Sequence, residues 1–311
     1  MERARYTSPA FLLLIANLLS ANYSHAYGRR PTIEPLARRL ALAYRARVMT
    51  ISFTDIHCHL VPAIDDGAAD WDESLAMARL AASDGIGTVI ATPHQLGSFG
   101  HNRGDDIRHR VADLQQRLNQ AGVRLNVLPG ADVRIEPSMI DGLRTGDVLT
   151  IGDHRRHVLL ELPHDLYLPL DPIIDELHRH GMVGVLSHPE RNQGILRCPE
   201  IIAPLVDRGC LMQVTAGSVC GTFGPLCEQL SNWLLAEGLV HFVATDAHGS
   251  RARRPMLRRA FQRVIELTGE ELAVEFCCEN PAAVAAGKDV QPGRRAPVRR
   301  KRKWFATKLG V

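Results

Sequence analysis

No CxxC pair, no glycine-rich phosphate loop and no obvious internal repeat occur in this 311-residue chain. Seven cysteines, an odd number without paired spacing, outline neither a disulfide framework nor a zinc ribbon. The missing glycine loop excludes nucleotide sites of the P-loop and dinucleotide-binding kinds. Apolar runs fall short of the roughly 20 residues that a membrane-spanning helix needs. Four cysteines, Cys198, Cys210, Cys220 and Cys227, lack an arginine six residues on and so form no C-x5-R anion loop. Hydrophobic content of 45% and charged content of 23% are ordinary for a globular chain.

Charge is unevenly spread beneath a net +3. Residues 1–50 carry eight Lys/Arg against two acids, and residues 294–311 carry eight against none. The body between them is acidic, and an acidic body that handles anions needs bound cations to reverse its local field. Three regions follow. Residues 1–50 are an N-terminal extension with Arg3 and Arg5, an apolar run from Phe11 to Leu19, and small residues at Ser24 and Ala26. Three readings of it stand: a signal-like segment, an amphipathic accessory helix, or an upstream start choice with Met49 opening the core. Residues 51–287 form the folded domain. Residues 288–311 read as a basic, disordered tail, or as one that touches an anionic membrane surface with Trp304 and Phe305. With no other interleaved aromatics, the tails do not suggest specific nucleic-acid binding. The cysteine usage points to a reducing compartment, the cytoplasm, against which the signal-like segment is the competing reading.

Within the domain, apolar β-rich runs alternate with helical patterns. The runs are "ISFTDI", "GTVIAT", "LNVLPGA", "HVLLEL", "VGVLS", "CLMQVTA" and "VHFVAT". Helices are predicted over 70–83, 104–120, 171–180, 199–208, 226–237 and 255–268. Continuous apolar strands each followed by a helix indicate parallel strands buried on both faces. Seven such units predict an α/β fold that closes as a barrel, with a doubly wound open sheet as the alternative.

The polar residues cluster at the strand ends. Strand one ends in His57 and His59, strand two in His94, strand three in Asp132, strand four in Glu161, strand five in His188, strand seven in Asp246 and His248. In a parallel barrel these ends share one rim, where active sites are built. A lone histidine at a strand end is more often structural; six such ends out of seven point to a shared site. In His-x-His on a strand both imidazoles face one side, so Cys58 points away. Asp66, Asp132, Glu161 and Asp246 held close together would repel one another without cations. Imidazoles and carboxylates without sulfur suit manganese, iron or zinc.

These residues resemble the PHP superfamily, named for polymerase and histidinol phosphatase domains. More narrowly, "DIHCHLVPAIDDG", "ATPH", "SHPERN", "QVTAGSVCGTFG" and "HFVATDAH", over roughly residues 52–285, resemble the bacterial metal-dependent tyrosine-protein phosphatases of capsule and exopolysaccharide clusters. The resemblance implies a distorted (β/α)7 barrel with its metal site at the C-terminal rim, and two or three divalent ions: manganese, or else iron, zinc or magnesium. It implies hydrolysis of phosphotyrosine in the Tyr-rich tail of a membrane-bound polysaccharide-export autokinase, by attack of a metal-bridging hydroxide on phosphorus. Carried over, His57 and His59 share the first ion with Asp132 and Asp246. Asp132 bridges to a second held by Glu161 and His188, and Asp66, His94 and His248 hold the third. Asp65 reads as a turn or supporting residue. Arg191 is the phosphate clamp, its bland alternative being a salt bridge to a neighbour such as Glu190. The second clamp is Arg254, ahead of Arg253 and Arg251. Where the family has "GAE" this chain has "GAD", so the bridging carboxylate at Asp132 reaches about 1.5 Å less. Either the strand shifts inward or one ion is held weakly. Competing readings are a PHP phosphatase for a small phosphomonoester such as histidinol phosphate, and a catalytically impaired metal-binding scaffold.

Overall fold

The computed structural model describes residues 51–297. The N-terminal extension and the basic residues from 298 onward lie outside that range. Among the described residues no helix is long and apolar enough to cross a membrane.

The described residues form nine strands, all parallel to their neighbours, in chain order: β1 (Phe53–Cys58), β2 (Ile86–Ala91), β3 (His94–Gln95), β4 (Asn126–Pro129), β5 (Asp132–Arg134), β6 (His157–Glu161), β7 (Val183–Ser187), β8 (Leu211–Thr215) and β9 (Phe242–Ala244). They form a three-stranded sheet, β1-β2-β4, and a six-stranded sheet, β3-β5-β6-β7-β8-β9. Seven apolar runs give nine strands because two runs break near proline. Pro93 has no N–H to offer a ladder, so β2 pairs with β4 up to Ala91, and the chain resumes as β3 paired with β5. The "PG" of Pro129 and Gly130 divides β4 from β5 in the same way. Between β9 and β1 there is no ladder. A single parallel bridge, Cys58 to Ala247, joins them with two backbone bonds, Asp246 N–H to His57 O at 2.7 Å and His59 N–H to Ala247 O at 2.8 Å. Neighbour order thus returns to the first strand.

The predicted helices are present with small shifts. Trp71–Asp84 opens with the Asp70 carboxylate accepting from Glu73 N–H and closes at Gly85 with φ +100°. Gly104–Gln120, Asp171–Arg179, Pro225–Ala236 and Arg258–Thr268 match their patterns. The 199–208 segment is a 3₁₀ turn, Pro199–Ile201, running into Ile202–Asp207. Helical turns at Met139–Thr145, Gln193–Arg197, Ala216–Val219 and between Glu270 and Ala285 had no clear amphipathic signature and were not predicted.

The core has two parts. Ile56, Ile90, Leu159, Val185, Leu211 and Phe242, each from a different strand, pack together inside the ring with Ile151 and Val284. Alternate strand positions such as Phe53, Val89, Leu160, Leu186, Met212 and Val243 face the helices. One strand breaks the alternation to the benefit of the site. Register shifts in β1 between Asp55 and Cys58, so Ile56 joins the inner cluster while Cys58 joins the outer one. Such an irregularity re-aims side chains, and it points the His57–His59 pair inward above Ile56.

Residues 288–297, read from composition as part of the tail, include several held against the domain. Arg295 donates to Glu275 at 2.6 Å and its backbone N–H to Gly238 O at 2.8 Å, Arg294 pairs with Asp207, and Val290 is buried. Acidic groups on the body hold these first basic residues, which composition alone assigned to a disordered segment.

Candidate metal centre

All nine sequence-predicted ligands come together, His94 and Asp132 at the breaks where β3 and β5 open and the others at or beyond the C-terminal ends of strands. Their donor atoms fall into four overlapping groups: His59, Asp66, His94 and His248; His57, His59 and Asp246; His57, Asp132 and His188; His94, Asp132 and Glu161. The expected third trio is present with His59 added. The partition of the second differs, because Glu161 groups with His94 and His188 with His57, the two meeting only through Asp132. That carboxylate is central despite being the shorter acid. Its Oδ2 lies 3.5 Å from His57 Nε2, 3.5 Å from His94 Nδ1 and 4.0 Å from His188 Nε2. It is fully buried, and neither of its oxygens has a hydrogen-bond partner.

The imidazoles are oriented from behind. His59 Nδ1 donates to Asp65 Oδ2 at 2.7 Å, and His57 Nδ1 to Gln213 Oε1 at 2.9 Å. His248 Nδ1 donates to the Asp246 carbonyl at 3.0 Å. With Nδ1 occupied, the Nε2 lone pairs of His57 and His59 face each other at 3.2 Å, and Asp246 Oδ1 stands 3.3 and 3.5 Å from them. Three acceptors cannot converge in a buried site without a cation or protons between them. About 3.4 Å is the separation of donors around a tetrahedral ion with bonds near 2.1 Å. The residues fit a divalent metal on both counts.

Charge distribution says the same. Burial disfavours the His57 cation, yet Asp246 and Asp132 outweigh it and raise its pKa to about 9. For His94 burial is likewise overcome by Asp66 and Glu161, to about 11. Asp246 stays well below the usual carboxylate range; burial opposes this, but His57 and His59 prevail. His188 differs: burial lowers it to about 3, with Arg191 adding to the effect. Positive charge is thus drawn to the His57, His59 and Asp246 core, where a bound ion would replace the protons.

Backbone strain gathers at the same rim. Among the described non-glycine residues with positive φ are His188 at +33°, Asp246 at +50° and Arg253 at +48°. Such conformations persist where surrounding structure enforces them. Asp55 supplies part of that force. Buried beneath the site, it accepts from Thr245 N–H at 2.9 Å, from the Thr245 hydroxyl and from His57 N–H at 3.4 Å, setting Asp246 beside β1. Gly67 permits a close pass, since a Cβ there would lie 2.3 Å from the His59 carbonyl oxygen.

A pocket of about 170 Å³ opens over the cluster, with Arg191 and Arg253 in its wall. Both guanidiniums reach Asp246 Oδ2, Arg253 at 2.5 Å. Of the candidates for the second clamp, Arg253 is the one in that wall. Arg254 is exposed and does not line the pocket; the loop turns at Arg253, whose carbonyl accepts from His248 N–H at 2.9 Å. Nor does Glu190 pair with Arg191; it is buried and accepts from Thr215 N–H at 2.9 Å. Sequence reasoning missed Phe223, whose ring lies 4.5 Å from Arg191 Cζ and 5.9 Å from Arg253 Cζ, a shared cation–π support. Its "GTFG" context signals a turn and nothing about arginine. Asp65 is a supporting residue, accepting from His59, Gly67 N–H and His94 N–H.

A parallel α/β chain with imidazoles and carboxylates gathered at its strand ends, beside two arginines, has the residues to hold divalent ions next to an anionic group. The family described as capsular polysaccharide synthesis, CpsB/CapC, matches residues 53–286, and the chain belongs to it. It is 34% identical over 250 residues to the tyrosine-protein phosphatase YwqE of Bacillus subtilis, covering 80% of this chain and 97% of that one. To the tyrosine-protein phosphatase CpsB of Streptococcus pneumoniae it is 23% identical over 235 residues, covering 74% and 97%. A solved structure from work on YwqE and CpsB, described there as metal-dependent tyrosine phosphatases, superposes with a TM-score of 0.74 at 34% identity, over 79% of this chain and 100% of that one.

Proposed function

We propose that this chain is a metal-dependent protein-tyrosine phosphatase that removes phosphate from tyrosines in the tail of a membrane-bound polysaccharide-export autokinase, working on the cytoplasmic side. One observation carries the reading: nine potential ligands meet beneath a small pocket that also holds two arginines. His57, His59, Asp132 and Asp246 form the buried floor that would hold ions, with His188; Asp66, His94, Glu161 and His248 form the mouth. When bound, divalent ions, manganese first among the candidates, supply Lewis-acid neutralisation of phosphoryl charge and acidify water for attack. The chain's own residues do the rest. Asp65 and Gln213 hold the imidazole edges toward the floor. Arg191 and Arg253, steadied by Phe223, donate to the non-bridging oxygens as charge builds. Net, water and phosphotyrosine give tyrosine and inorganic phosphate, and the phenolate leaves without a strong need for a dedicated acid.

The test is turnover of a phosphotyrosyl peptide, histidinol phosphate and 3′-phosphorylated DNA in parallel, with metal content measured on the same sample. The expected result is preference for the peptide and at least one equivalent of transition metal. Better turnover of either other substrate, or a metal-poor protein that added manganese leaves inactive, would overturn the assignment.

A further inference from the structure

The catalytic pocket offers little to the ring of a phosphotyrosine. Leu162 is the only aliphatic side chain in its lining. A second cleft, of about 230 Å³, opens beside it and shares His94 and Glu161 as a common wall. Leu96, Gly97, Ser98, Phe99 and Arg134 complete its lining. We propose that this cleft is an aryl subsite: Phe99 and Leu96 receive the phenyl ring of the substrate whose phosphoryl group occupies the catalytic pocket. The inference rests on the phosphotyrosine reading and deepens it, because it names what separates aryl from alkyl phosphates.

The wall is held in place from several sides. The Phe99 ring is stacked on His94, with centroids 5.2 Å apart and planes 20° from parallel. Leu96 and Gly97 have φ of +70° and +54°, and Phe99 N–H closes the turn on Leu96 O at 3.0 Å. Left-handed backbone is unusual for leucine and marks a conformation enforced by its surroundings. The enforcement is visible at both ends of the loop. Gln95 donates to the carbonyls of Asn102 and Asp147 at 2.8 and 2.9 Å and accepts from Leu149 N–H at 2.7 Å. Asn102 donates to the carbonyls of Ile64 and His94, each at 2.9 Å. Between these anchors Gly97 N–H donates to Glu136 at 3.0 Å, and the Arg134 stem packs so close that a Cβ on Gly97 would lie 3.1 Å from its Cγ. A wall fixed before binding adds affinity without an ordering cost. Its flat aromatic face suits another ring, whereas an alkyl phosphate reaches the phosphoryl site and leaves Phe99 uncovered.

The experiment compares calorimetric Kd values of benzylphosphonate and methylphosphonate for the manganese-supplied chain, Phe99→Ala and Phe99→Tyr. The unmodified chain is expected to favour the benzyl compound, Phe99→Ala to cut that preference about five- to tenfold, and Phe99→Tyr to keep it. Equal weakening of both ligands in Phe99→Ala would mean that Phe99 merely steadies His94, and the subsite falls; so it does if the preference is absent at the outset or survives the alanine. Phosphotyrosyl-peptide turnover is followed separately. A benzyl preference in a chain without turnover sinks the phosphatase reading and leaves the subsite standing.

Discussion

Histidines stand at both ends of the parallel strands, and His57 at one end is shifted oppositely to His157 and His241 at the other. His157 opens β6 and His241 precedes β9, while Glu161 closes β6 and Asp246 and His248 follow β9. At the lower end burial lowers His157 to about 4 and His241 to about 3. Arg156 adds to the first shift and Arg295 to the second. At the upper end burial is as complete for His57, yet Asp246 and Asp132 drive it to about 9. The lesson is that a buried imidazole is not by itself a ligand. Asp246 and Asp132 make His57 one, whereas His188 at the same end stays low and the Asp289 charge near His157 does not outweigh burial.

Four substitutions sharpen this contrast, beginning with the largest effect. His57→Ala removes an imidazole that touches both Asp132 and Asp246, and phosphotyrosyl turnover is expected to drop about a thousandfold or more, with loss of bound metal by elemental analysis. His241→Gln at the other end should keep its metal and its turnover. If the two variants lose metal alike, the distinction between the ends is wrong.

The next effect sits on the rim. Arg253→Ala should lower kcat about a hundredfold, as expected when one donor to developing phosphoryl charge is lost. Arg254→Ala should stay close to the unmodified rate. Steady-state kinetics on one phosphopeptide decide it, and the reverse order would make Arg254 the clamp.

The smallest effect is on stability. His241 is neutral in the folded chain, accepting from Met212 N–H at 3.1 Å and donating to Gly293 O at 3.2 Å. Its folded pKa of about 3 lies below the ordinary 6.5, so between those values the unfolded chain binds the extra proton. Its contribution to stability is therefore complete above pH 6.5 and is lost as pH falls toward 3, at no more than about 1.4 kcal/mol per pH unit. Thermal midpoints of His241→Gln should fall less steeply between about pH 7 and about pH 5 than those of the unmodified chain. Parallel curves would show that the buried ring titrates normally.

Much of the fold was legible because burial on both faces forces apolar runs, and the seven runs place the strands. The division of two runs at Pro93 and at Pro129–Gly130 was readable in principle, since proline cannot feed a ladder. The shift within β1 was not, because nothing in "FTDIHC" distinguishes an even strand from one that turns two successive residues inward. At the site, His57, His59, His94, Asp132, Glu161, His188, Asp246 and His248 were legible as strand-end chemistry, and Asp66 through the quoted resemblance. Phe223 was not, because an aromatic in a turn acquires its meaning from two arginines that arrive from elsewhere in the chain. Arg253 and Arg254 are adjacent and alike, and only the course of the loop separates them.

Local sequence determined which residue types stand at which strand ends, since periodicity and side-chain chemistry are properties of short stretches. Tertiary structure decided which of them share an ion-sized space, how Asp132 reaches three imidazoles with a shorter side chain, and which arginine faces the pocket. Those outcomes depend on distances between segments as much as 190 residues apart, as Asp55 and Thr245 are. Such distances are set only when the strands pack around a common interior.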